Sequence, residues 1–447
     1  MSTQSVQLDR QPVDQSRLQI LAAIGIAAAV VPLSALAAIH PIAALVLFAG
    51  LVIGVVSILH AQVALLLLVA SAPIEGAFLI GGSQTLTVTK LAGGLCFAGF
   101  ILYALTFRRR LLFDQSHVIV LGILAIAIFS TLQAEEIPAA ITVTLRYASF
   151  VALYIVASQF VGDQPFQRRL AWVLSISCTL ASVIALRDVI QGHTLLATLH
   201  YGDPNDTAYI LATSLPLMFW LLRERWALKP IVIAMIGLTS ASVILSYSRG
   251  ALVGVGAAIV WQALTERRSI PIILAGLVAV VVATTFVVHQ NPSQIRSGFK
   301  AKEKVAAFNV STRLDAWGAA VDLASTHPVL GIGPGNFQFR YLDVTQRPPG
   351  SSRIGVVHDT YLDVAAELGI FAALLFLAYY VIVFSRATIA IRRGNGLPGY
   401  AAAVRTSLVI AAVSGLFLSE QYFAPFWLFG GLATALWREG KLLAPDR

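Results

Sequence analysis

Long apolar runs alternate with short polar connections along most of the chain. A helix needs about 20 apolar residues to cross the hydrocarbon layer of a membrane, and several of these runs approach or exceed that length. We distinguish fourteen apolar segments, at roughly 18–38, 42–59, 61–79, 88–107, 117–133, 139–161, 170–190, 207–222, 230–247, 250–264, 270–288, 359–385, 401–418 and 424–437. The pattern predicts an all-α polytopic membrane protein with about 12–14 transmembrane helices.

Composition supports this class. The 447 residues are 57% hydrophobic and only 12% charged, with a mean hydropathy of +0.80, and a soluble protein of this length needs far more polar surface. The net charge of +9 sits in short loops between apolar runs, so it indicates no nucleic-acid partner. Cys96 and Cys178 both fall inside apolar segments and provide neither a disulfide framework nor a metal-binding spacing.

The charges of the loops predict the orientation of the helices. If residues 1–17 form a cytoplasmic tail, the inside loops carry most of the arginine and lysine, as the positive-inside rule requires. These basic clusters include Arg108 to Arg110, Arg168 with Arg169, Arg267 with Arg268, and Arg392 with Arg393. The first run contains Ala35-Leu36-Ala37, which resembles a cleavage site, but we favour an uncleaved first helix because the run is long enough to span.

One outer loop, 289–357, is far longer than the others and separates two groups of helices. We therefore divide the chain into transmembrane helices 1–11 (18–288), this large loop, C-terminal transmembrane helices (358–438) and a cytoplasmic tail (439–447). Within the loop, Thr312 to Asp315 fits a capping box, and an amphipathic helix follows until Pro328. Gly331, Gly333 and Gly335 then predict a tight turn rather than a nucleotide site, because no strand precedes them.

Three predicted helix starts on the outer side carry the most unusual polar residues. They are Asp203-Pro204-Asn205-Asp206, Ser246-Tyr247-Ser248-Arg249-Gly250 and Val357-His358-Asp359-Thr360-Tyr361-Leu362. A helix N-terminus presents unpaired N–H groups and partial positive charge, so it favours anions. Together they suggest a site for a phosphate-bearing substrate.

Each start also has a simpler structural explanation. Asn205 or Asp206 is expected to cap its helix; alternatively the acidic groups hold a divalent metal, or Asn205 binds sugar hydroxyls. Arg249 is either an interfacial arginine that reaches the membrane surface or a ligand of a diphosphate. His358 is either a capping residue or a neutral imidazole that serves as general base.

Further charged residues fall inside the predicted membrane segments. Asp363 and Glu367 are spaced four residues apart on the helix after His358, and we expect them to pair with an arginine or to orient the base. Arg187, near an outer helix end, is a candidate for the anion site. Arg146 lies nearer mid-membrane and is expected to be structural.

At these residues the chain resembles the O-antigen ligase and O-antigen polymerase superfamily, over roughly residues 140–420. The resemblance rests on Gly202 to Asp206, on Ser248-Arg249-Gly250, on the loop from Ser311 to Phe337 and on His358 to Leu362 followed by Glu367-Leu368-Gly369. Family members usually carry a second arginine just before the Pro-Asn element. Here that stretch reads Thr198-Leu199-His200-Tyr201, so Arg187, His200 or a loop arginine would have to stand in.

The resemblance implies an inverting glycosyltransferase of the C-type architecture in the bacterial inner membrane, with its site facing the periplasm and with no cofactor or metal. The donor is expected to be a glycan on undecaprenyl diphosphate, and the acceptor a hydroxyl of lipid A core or of another lipid-linked glycan, in lipopolysaccharide or exopolysaccharide synthesis. His358 is the expected catalytic base. Arg249, Arg187 and Ser248 are expected to bind the donor diphosphate, and Asn205, Asp206, Arg313, Tyr361 and Glu367 to bind or orient substrate.

Two other functions remain open on the sequence alone. A metal-dependent oligosaccharyltransferase that moves the glycan to protein would use Asp203 and Asp206 as metal ligands. A transporter or flippase of a lipid-linked sugar would require a charged path at mid-membrane and would not need His358.

The predicted orientation is testable by cysteine labelling. In a chain with Cys96 and Cys178 replaced by alanine, a membrane-impermeant thiol reagent added from outside should reach cysteines placed at 205, 300 and 350. It should not reach cysteines at 109 or 268, because these positions lie in the basic inside loops. The reverse labelling pattern would overturn the placement of the three helix starts on the outer face.

Overall fold

The structure is a computed structural model that describes residues 55–56, 60–77, 88–106, 111–160, 164–199, 202–223, 226–266, 270–345 and 356–442. The predicted segment 18–38, nearly all of 42–59 and the tail 1–17 lie outside the described residues. The described part consists of helices and connections and contains no strand. It is therefore all-α, as the apolar pattern predicted.

We number the α-helices of the described residues in chain order. They are α1 (Ala61–Ser71), α2 (Val88–Thr106), α3 (Gln115–Thr131), α4 (Ile137–Phe160), α5 (Gln164–Ile190), α6 (Pro204–Leu221), α7 (Lys229–Leu245), α8 (Arg249–Thr265), α9 (Ile270–Gln290), α10 (Pro292–Thr326), α11 (Phe337–Val344), α12 (Thr360–Leu368), α13 (Ile370–Arg393), α14 (Tyr400–Gly415) and α15 (Ala424–Leu442). Apart from 359–385, which divides into two helices, each predicted apolar segment from 61 onward corresponds to one helix.

Two compact units make up the chain. One comprises 1–68 and 91–111, and within it Leu68 of α1 packs near Gly93 of α2. The other comprises 69–90 and 112–447. Every residue discussed below belongs to this second unit.

Four helices in the described residues are long and apolar enough to cross a membrane: Ile137–Gln159, Gln164–Ile190, Ile273–Gln290 and Ile370–Arg393. On α9, Val278, Val282 and Phe286 are exposed, which is the pattern of a helix whose outer side faces lipid. Six further apolar helices span 10–17 residues. The prediction of a polytopic membrane protein is thus confirmed, while the total of 12–14 spans stays a prediction.

The predicted single helix over 359–385 is wrong, because the chain breaks at Gly369 between α12 and α13. Gly369 has φ +88°, and a Cβ there would lie 2.6 Å from the carbonyl oxygen of Val329. The N–H of Ile370 donates to the carbonyl of Pro328 at 2.9 Å. The outer loop thus docks into the break, and the membrane span begins at Ile370.

The helix of the outer loop also differs from the prediction. α10 starts at Pro292, with Asn291 as its cap, and runs for 35 residues without interruption. Thr312 lies well inside it, so the predicted capping box at Thr312 is wrong: a continuous helix satisfies the backbone there. The predicted end is confirmed, since α10 finishes at Thr326 just before Pro328.

A small apolar core joins the outer loop to α12. It is formed by buried residues of α10, α11 and α12 together with Ile332 and Val357. The buried members are Ala316, Ala319, Ala320, Leu323, Ile332, Phe337, Tyr341, Val357 and Ala366. Burial of these side chains fixes the loop against the helix that follows His358.

The glycines between Pro328 and Phe337 form a tight turn against α12, which confirms the prediction for this segment. Gly331, Gly333 and Gly335 all have positive φ. The N–H of Gly333 donates to the carbonyl of Glu367 at 3.0 Å, and the side-chain amide of Gln133 donates to the carbonyl of Gly331 at 2.8 Å. The turn therefore links the end of α12 to the connection between α3 and α4.

Gly331 should be the most sensitive point of this turn. A Cβ there would lie 2.3 Å from the carbonyl carbon and oxygen of Glu367, and φ is +65°. We expect Gly331→Ala to lower the apparent melting temperature of the purified protein, since backbone strain alone costs about 1–2 kcal/mol. The matched control is Gly318→Ala on α10, where a Cβ meets nothing within 4 Å; equal melting temperatures for the two variants would contradict the packing described.

Candidate functional site

The connection between α14 and α15, residues 416–423, is the point at which the starts of α6, α8 and α12 meet. The hydroxyl of Thr360 donates to the carbonyl of Leu418 at 2.7 Å and accepts from the N–H of Glu420 at 2.9 Å. The N–H of His358 donates to the hydroxyl of Ser419 at 3.1 Å. We refer to this segment as the 416–423 loop.

The start of α8 abuts the same loop through Gly250. A Cβ at Gly250 would lie 2.8 Å from Leu418 and 3.0 Å from Phe417. Only a glycine lets α8 approach this closely. The start that bears Arg249 is therefore a direct neighbour of the segment that holds His358.

Ser248 and Arg249 stand at the start of α8. Ser248 caps α8 in an extended conformation, and its buried hydroxyl has no hydrogen-bond partner among the described residues. Arg249 is the first residue of α8 and is exposed. In the described part of the chain, no hydrogen bond or ion pair engages its guanidinium. The two side chains thus offer free donors at a helix N-terminus.

Arg313 of α10 lies close enough to Arg249 for the two charges to interact. Burial, and then the charge of Arg249, lower the pKa of Arg313 below its usual value. Among the described residues, no carboxylate pairs with Arg313 either. Two neighbouring arginines without an acidic partner repel one another, so an anion between them would stabilise both.

The start of α6 is capped differently from the prediction. Asp203, rather than Asn205 or Asp206, caps the helix: its carboxylate accepts from the N–H of Asn205 at 2.7 Å, and Pro204 occupies the first helical position. Proline is favoured at the first helical position because its fixed φ suits the helix and an N–H there would have no partner within the helix. Asp206 is thereby left without a capping role, and Asn205 is half-buried beside it.

Asp206 has charged neighbours at the cap of its own helix and on α4. Burial, and then the nearby Asp203, raise its pKa to about 7, while Arg146 acts in the opposite direction. Arg146, expected to be structural, therefore belongs to the surroundings of the site. No group of histidine, cysteine or carboxylate side chains in the described residues is arranged to hold a metal ion.

His358 precedes α12 by two residues instead of opening it. Asp359 is the cap, and its carboxylate accepts from the N–H groups of Tyr361 and Leu362, each at 2.9 Å. His358 itself has φ +59°, an uncommon conformation for a non-glycine residue. The hydrogen bond to Ser419 and the buried Val357 hold this conformation in place. Such strain at a half-exposed histidine is typical of functional sites.

Tyr361, Asp363 and Glu367 form hydrogen bonds inside the protein. The hydroxyl of Tyr361 donates to the carbonyl of Ala412 at 3.0 Å. Glu367 accepts from the hydroxyl of Tyr422 and, at 3.4 Å, from the N–H of Phe337. The side-chain amide of Gln421 donates to Asp363 at 2.9 Å. The prediction that an arginine pairs with Asp363 or Glu367 is therefore wrong. Their side-chain partners are Gln421 and Tyr422 of the 416–423 loop.

Both carboxyl groups are fully inside the protein. Burial raises the pKa of Asp363 and of Glu367, and the proximity of Asp363 raises that of Glu367 further. Their hydrogen bonds connect the glycine turn, α12 and the 416–423 loop. These hydrogen bonds hold the elements of the site in position. The side chain of Glu367 is buried and is therefore not accessible to a substrate.

Among the predicted site residues, Arg187 has the fewest described contacts with the rest of the site. Its side chain is exposed and lies in the last turn of α5. The opposite face of that turn packs on α7, α9 and the start of α10. The packed residues are Leu186, Val189, Leu245, Val287 and Ile295. No hydrogen bond or ion pair in the described residues joins Arg187 to Arg249 or to the 416–423 loop. Its role in anion binding stays a prediction.

Sequence reasoning missed the 416–423 loop. Glu420 was not among the predicted site residues, although it is 3% exposed and its N–H donates to Thr360 at the start of α12. The signal was the polar run Ser419-Glu420-Gln421 between two apolar segments. Such a run resembles any other loop until the fold shows which helix starts surround it.

Comparison with known proteins agrees with the geometry. A sequence model described as O-antigen ligase matches residues 234–377, about a third of the chain. No match was found among curated protein sequences. The matched segment contains Ser248, Arg249, Arg313, His358 and Glu367, whereas Asn205, Asp206, Arg187 and Glu420 lie outside it. The match over residues 234–377 supports the resemblance of this chain to the O-antigen ligase and O-antigen polymerase superfamily.

Proposed function

We propose that this protein is an inverting glycosyltransferase that moves a glycan from undecaprenyl diphosphate to a sugar hydroxyl on the periplasmic face of the inner membrane. In this proposal it acts as an O-antigen ligase or a polysaccharide polymerase and needs no metal. The family match supports transfer of a lipid-linked glycan in general. The donor, the acceptor and the mechanism are argued from the residues of the site.

The pair Arg249 and Arg313 carries the proposal. Both guanidinium groups lack an acidic partner among the described residues, and Arg249 stands at the N-terminus of α8 beside the unpartnered hydroxyl of Ser248. Arginine presents a planar set of donors that fits phosphate oxygens. A diphosphate between the two arginines would neutralise their repulsion. Arg313 then replaces the second family arginine that is missing before Pro204.

The same arrangement stabilises the leaving group. As the glycosidic bond breaks, negative charge develops on the diphosphate, and fixed positive groups at that position lower the barrier. The two arginines, the hydroxyl of Ser248 and the N-terminus of α8 supply this field without a metal ion. Removal of one such group typically slows an enzyme by roughly 100- to 1000-fold.

We assign the acceptor to His358. In the proposed step, its imidazole takes the proton of an acceptor hydroxyl while the hydroxyl oxygen forms a bond to the anomeric carbon. The bond from that carbon to the diphosphate breaks, and undecaprenyl diphosphate leaves with the electron pair. Attack from the face opposite the leaving group inverts the anomeric configuration.

An apolar cavity suits the lipid tail of the donor. It begins at Leu252, one turn along α8 from Arg249, and extends to Gln262 and Glu266 at the far end of that helix. With a rise of about 1.5 Å per residue this covers roughly 20 Å. Its other walls are mostly aliphatic or aromatic side chains of α6, α7, α9 and α14. A diphosphate at Arg249 would thus have an apolar groove directly beside it.

Single substitutions test the assigned roles. We expect His358→Ala and Arg249→Ala each to lower transfer at least roughly 100-fold, because one removes the base and the other a group that stabilises the developing charge. Arg313→Ala should lose a similar factor with an additional rise in donor KM. Transfer is measured with purified protein and an undecaprenyl-diphosphate oligosaccharide.

Arg296→Ala is the matched control, since Arg296 is an exposed arginine of the same helix as Arg313. It should transfer at the wild-type rate. All variants should express and insert normally. Wild-type transfer by the His358 or the Arg249 variant would remove the catalytic assignment.

A second experiment separates the candidate reactions. The wild-type protein receives the lipid-linked oligosaccharide with and without lipid A core, in the presence of EDTA. We expect transfer to continue in EDTA, because arginines and a helix N-terminus supply the positive charge. Product on the core indicates a ligase, and an elongated lipid-linked glycan indicates a polymerase. Loss of transfer in EDTA with recovery in Mn²⁺ would contradict the metal-independent mechanism and shift attention to Asp203 and Asp206.

A further inference from the structure

Glu420 of the 416–423 loop is a buried carboxyl group whose second oxygen has no partner. The side chain is 3% exposed, and among the described residues no hydrogen bond reaches its Oε2. Leaving a buried polar atom unpaired is destabilising. Glu420 follows Ser419, which accepts from the N–H of His358, so the unpaired oxygen points to a partner that the protein alone does not supply.

The nearest charged groups belong to the start of α6. Glu420 and Tyr209 line one small cavity together with Thr360 and Tyr361 of α12. Asp206 lies three residues before Tyr209 and hence on the same face of α6. Asp206 and Asp203 are close enough to Glu420 for their charges to act on it. The other walls, Phe376, Ala411, Gly415 and Phe426, are uncharged.

Two carboxyl groups in such a place cannot both be ionised easily. Burial, followed by the charges of Asp206 and Asp203, raises the pKa of Glu420 well above its usual value. Neighbouring carboxyl groups titrate as a pair, because the ionisation of one hinders that of the other. Arg146 of α4 acts in the opposite direction on Asp206. With one group protonated, the pair offers both a hydrogen-bond donor and several acceptors.

We propose that Asp206 and Glu420 form a carboxyl pair that binds hydroxyl groups of the acceptor sugar, with Asp206 contacting the sugar and Glu420 behind it as a positioning residue. This inference rests on the glycosyl-transfer function proposed above. A sugar hydroxyl donates and accepts hydrogen bonds at once, so it complements a pair that does both. The inference also explains why Glu420, with no protein partner for Oε2, is kept at this position.

The charge of each group of residues determines whether it binds the donor or the acceptor. Gly250, the neighbour of Arg249, abuts the 416–423 loop at Phe417 and Leu418, and the charge of Arg249 acts on Arg313, so a diphosphate is attracted to this part of the site. The carboxyl groups of Asp206 and Glu420 would repel a diphosphate. The backbone N–H of His358 donates to Ser419, which lies between Leu418 and Glu420 in the loop. The donor phosphates thus belong at the arginines, and an uncharged acceptor belongs at the carboxyl pair.

Direct binding measurements test the inference without any need for turnover. The full-length protein in lipid nanodiscs is titrated by calorimetry with dephosphorylated lipid A core oligosaccharide, with the free oligosaccharide of the lipid-linked donor, and separately with undecaprenyl diphosphate. Asp206→Asn should weaken binding of at least one glycan by about ten-fold or more, because a hydrogen bond to a charged group is stronger than one to a neutral group. Binding of undecaprenyl diphosphate should not change.

Asp322→Asn is the matched control, since it removes an exposed carboxylate of α10 away from the 416–423 loop. Both kinds of ligand should bind this variant as they bind the wild type. Equal weakening of glycan and diphosphate binding by Asp206→Asn would indicate a structural defect and overturn the proposal. So would unchanged glycan binding, or a wild-type protein that binds neither glycan.

The pH dependence tests the role of Glu420. A raised pKa means that Glu420 retains its proton to a higher pH than a free carboxyl group does, and loses it as the pH rises further. Glycan binding by the wild type should therefore weaken on the alkaline side, and Glu420→Gln should abolish this dependence while it preserves the fold. Infrared spectra at neutral pH should show one protonated carboxyl group fewer in that variant. An identical pH profile or an identical infrared spectrum in the two proteins would overturn the pairing.

These outcomes are distinct from a failure of the proposed function. If the wild type binds the glycans as expected but transfers nothing, glycosyl transfer is refuted and the carboxyl pair remains a glycan-binding site. If transfer proceeds and the Asp206 and Glu420 variants behave as the wild type, only the acceptor site is refuted.

Discussion

The hydrogen bonds between Thr360 and the 416–423 loop are the contact on which the site depends. One hydroxyl donates to the carbonyl of Leu418 and accepts from the N–H of Glu420. Because neither backbone group belongs to a helix, the side chain satisfies groups that would otherwise be unpaired inside the protein. The loop is fixed in this way, and it then contacts Gly250 on one side and holds His358 on the other.

A second layer of contacts supports the first. The glycine turn after α10 packs its backbone against the end of α12, and only glycine tolerates both the positive φ and the close approach at Gly331 and Gly369. Glu367 ties this turn to Tyr422. The outer loop is therefore part of the same rigid arrangement as the helix starts, which allows Arg313 of the long α10 to lie beside Arg249.

Opposite charges occupy different parts of the site. In the part of the chain that the structure describes, Arg249 and Arg313 interact and lack an acidic partner, whereas Asp206 and Glu420 lie close enough for their charges to interact. Burial strengthens the fields of such groups, because water screens them less. The transferase proposed above, with an anionic donor and an uncharged acceptor, would make use of this division.

The sequence by itself determined the helices, because a membrane span must satisfy its backbone internally and must be apolar for a fixed length. It also singled out Arg249 and His358, since charged residues at apolar helix starts are conspicuous. Local signals failed where tertiary contacts prevailed: Asp203 caps α6 in place of Asp206, Gly369 divides the predicted span, and Thr312 lies within a continuous helix. Only the tertiary structure placed Arg313 beside Arg249 and Glu420 beside Asp206. Those pairs join residues more than 60 and 200 positions apart, and no local pattern encodes a contact that packing between distant helices creates.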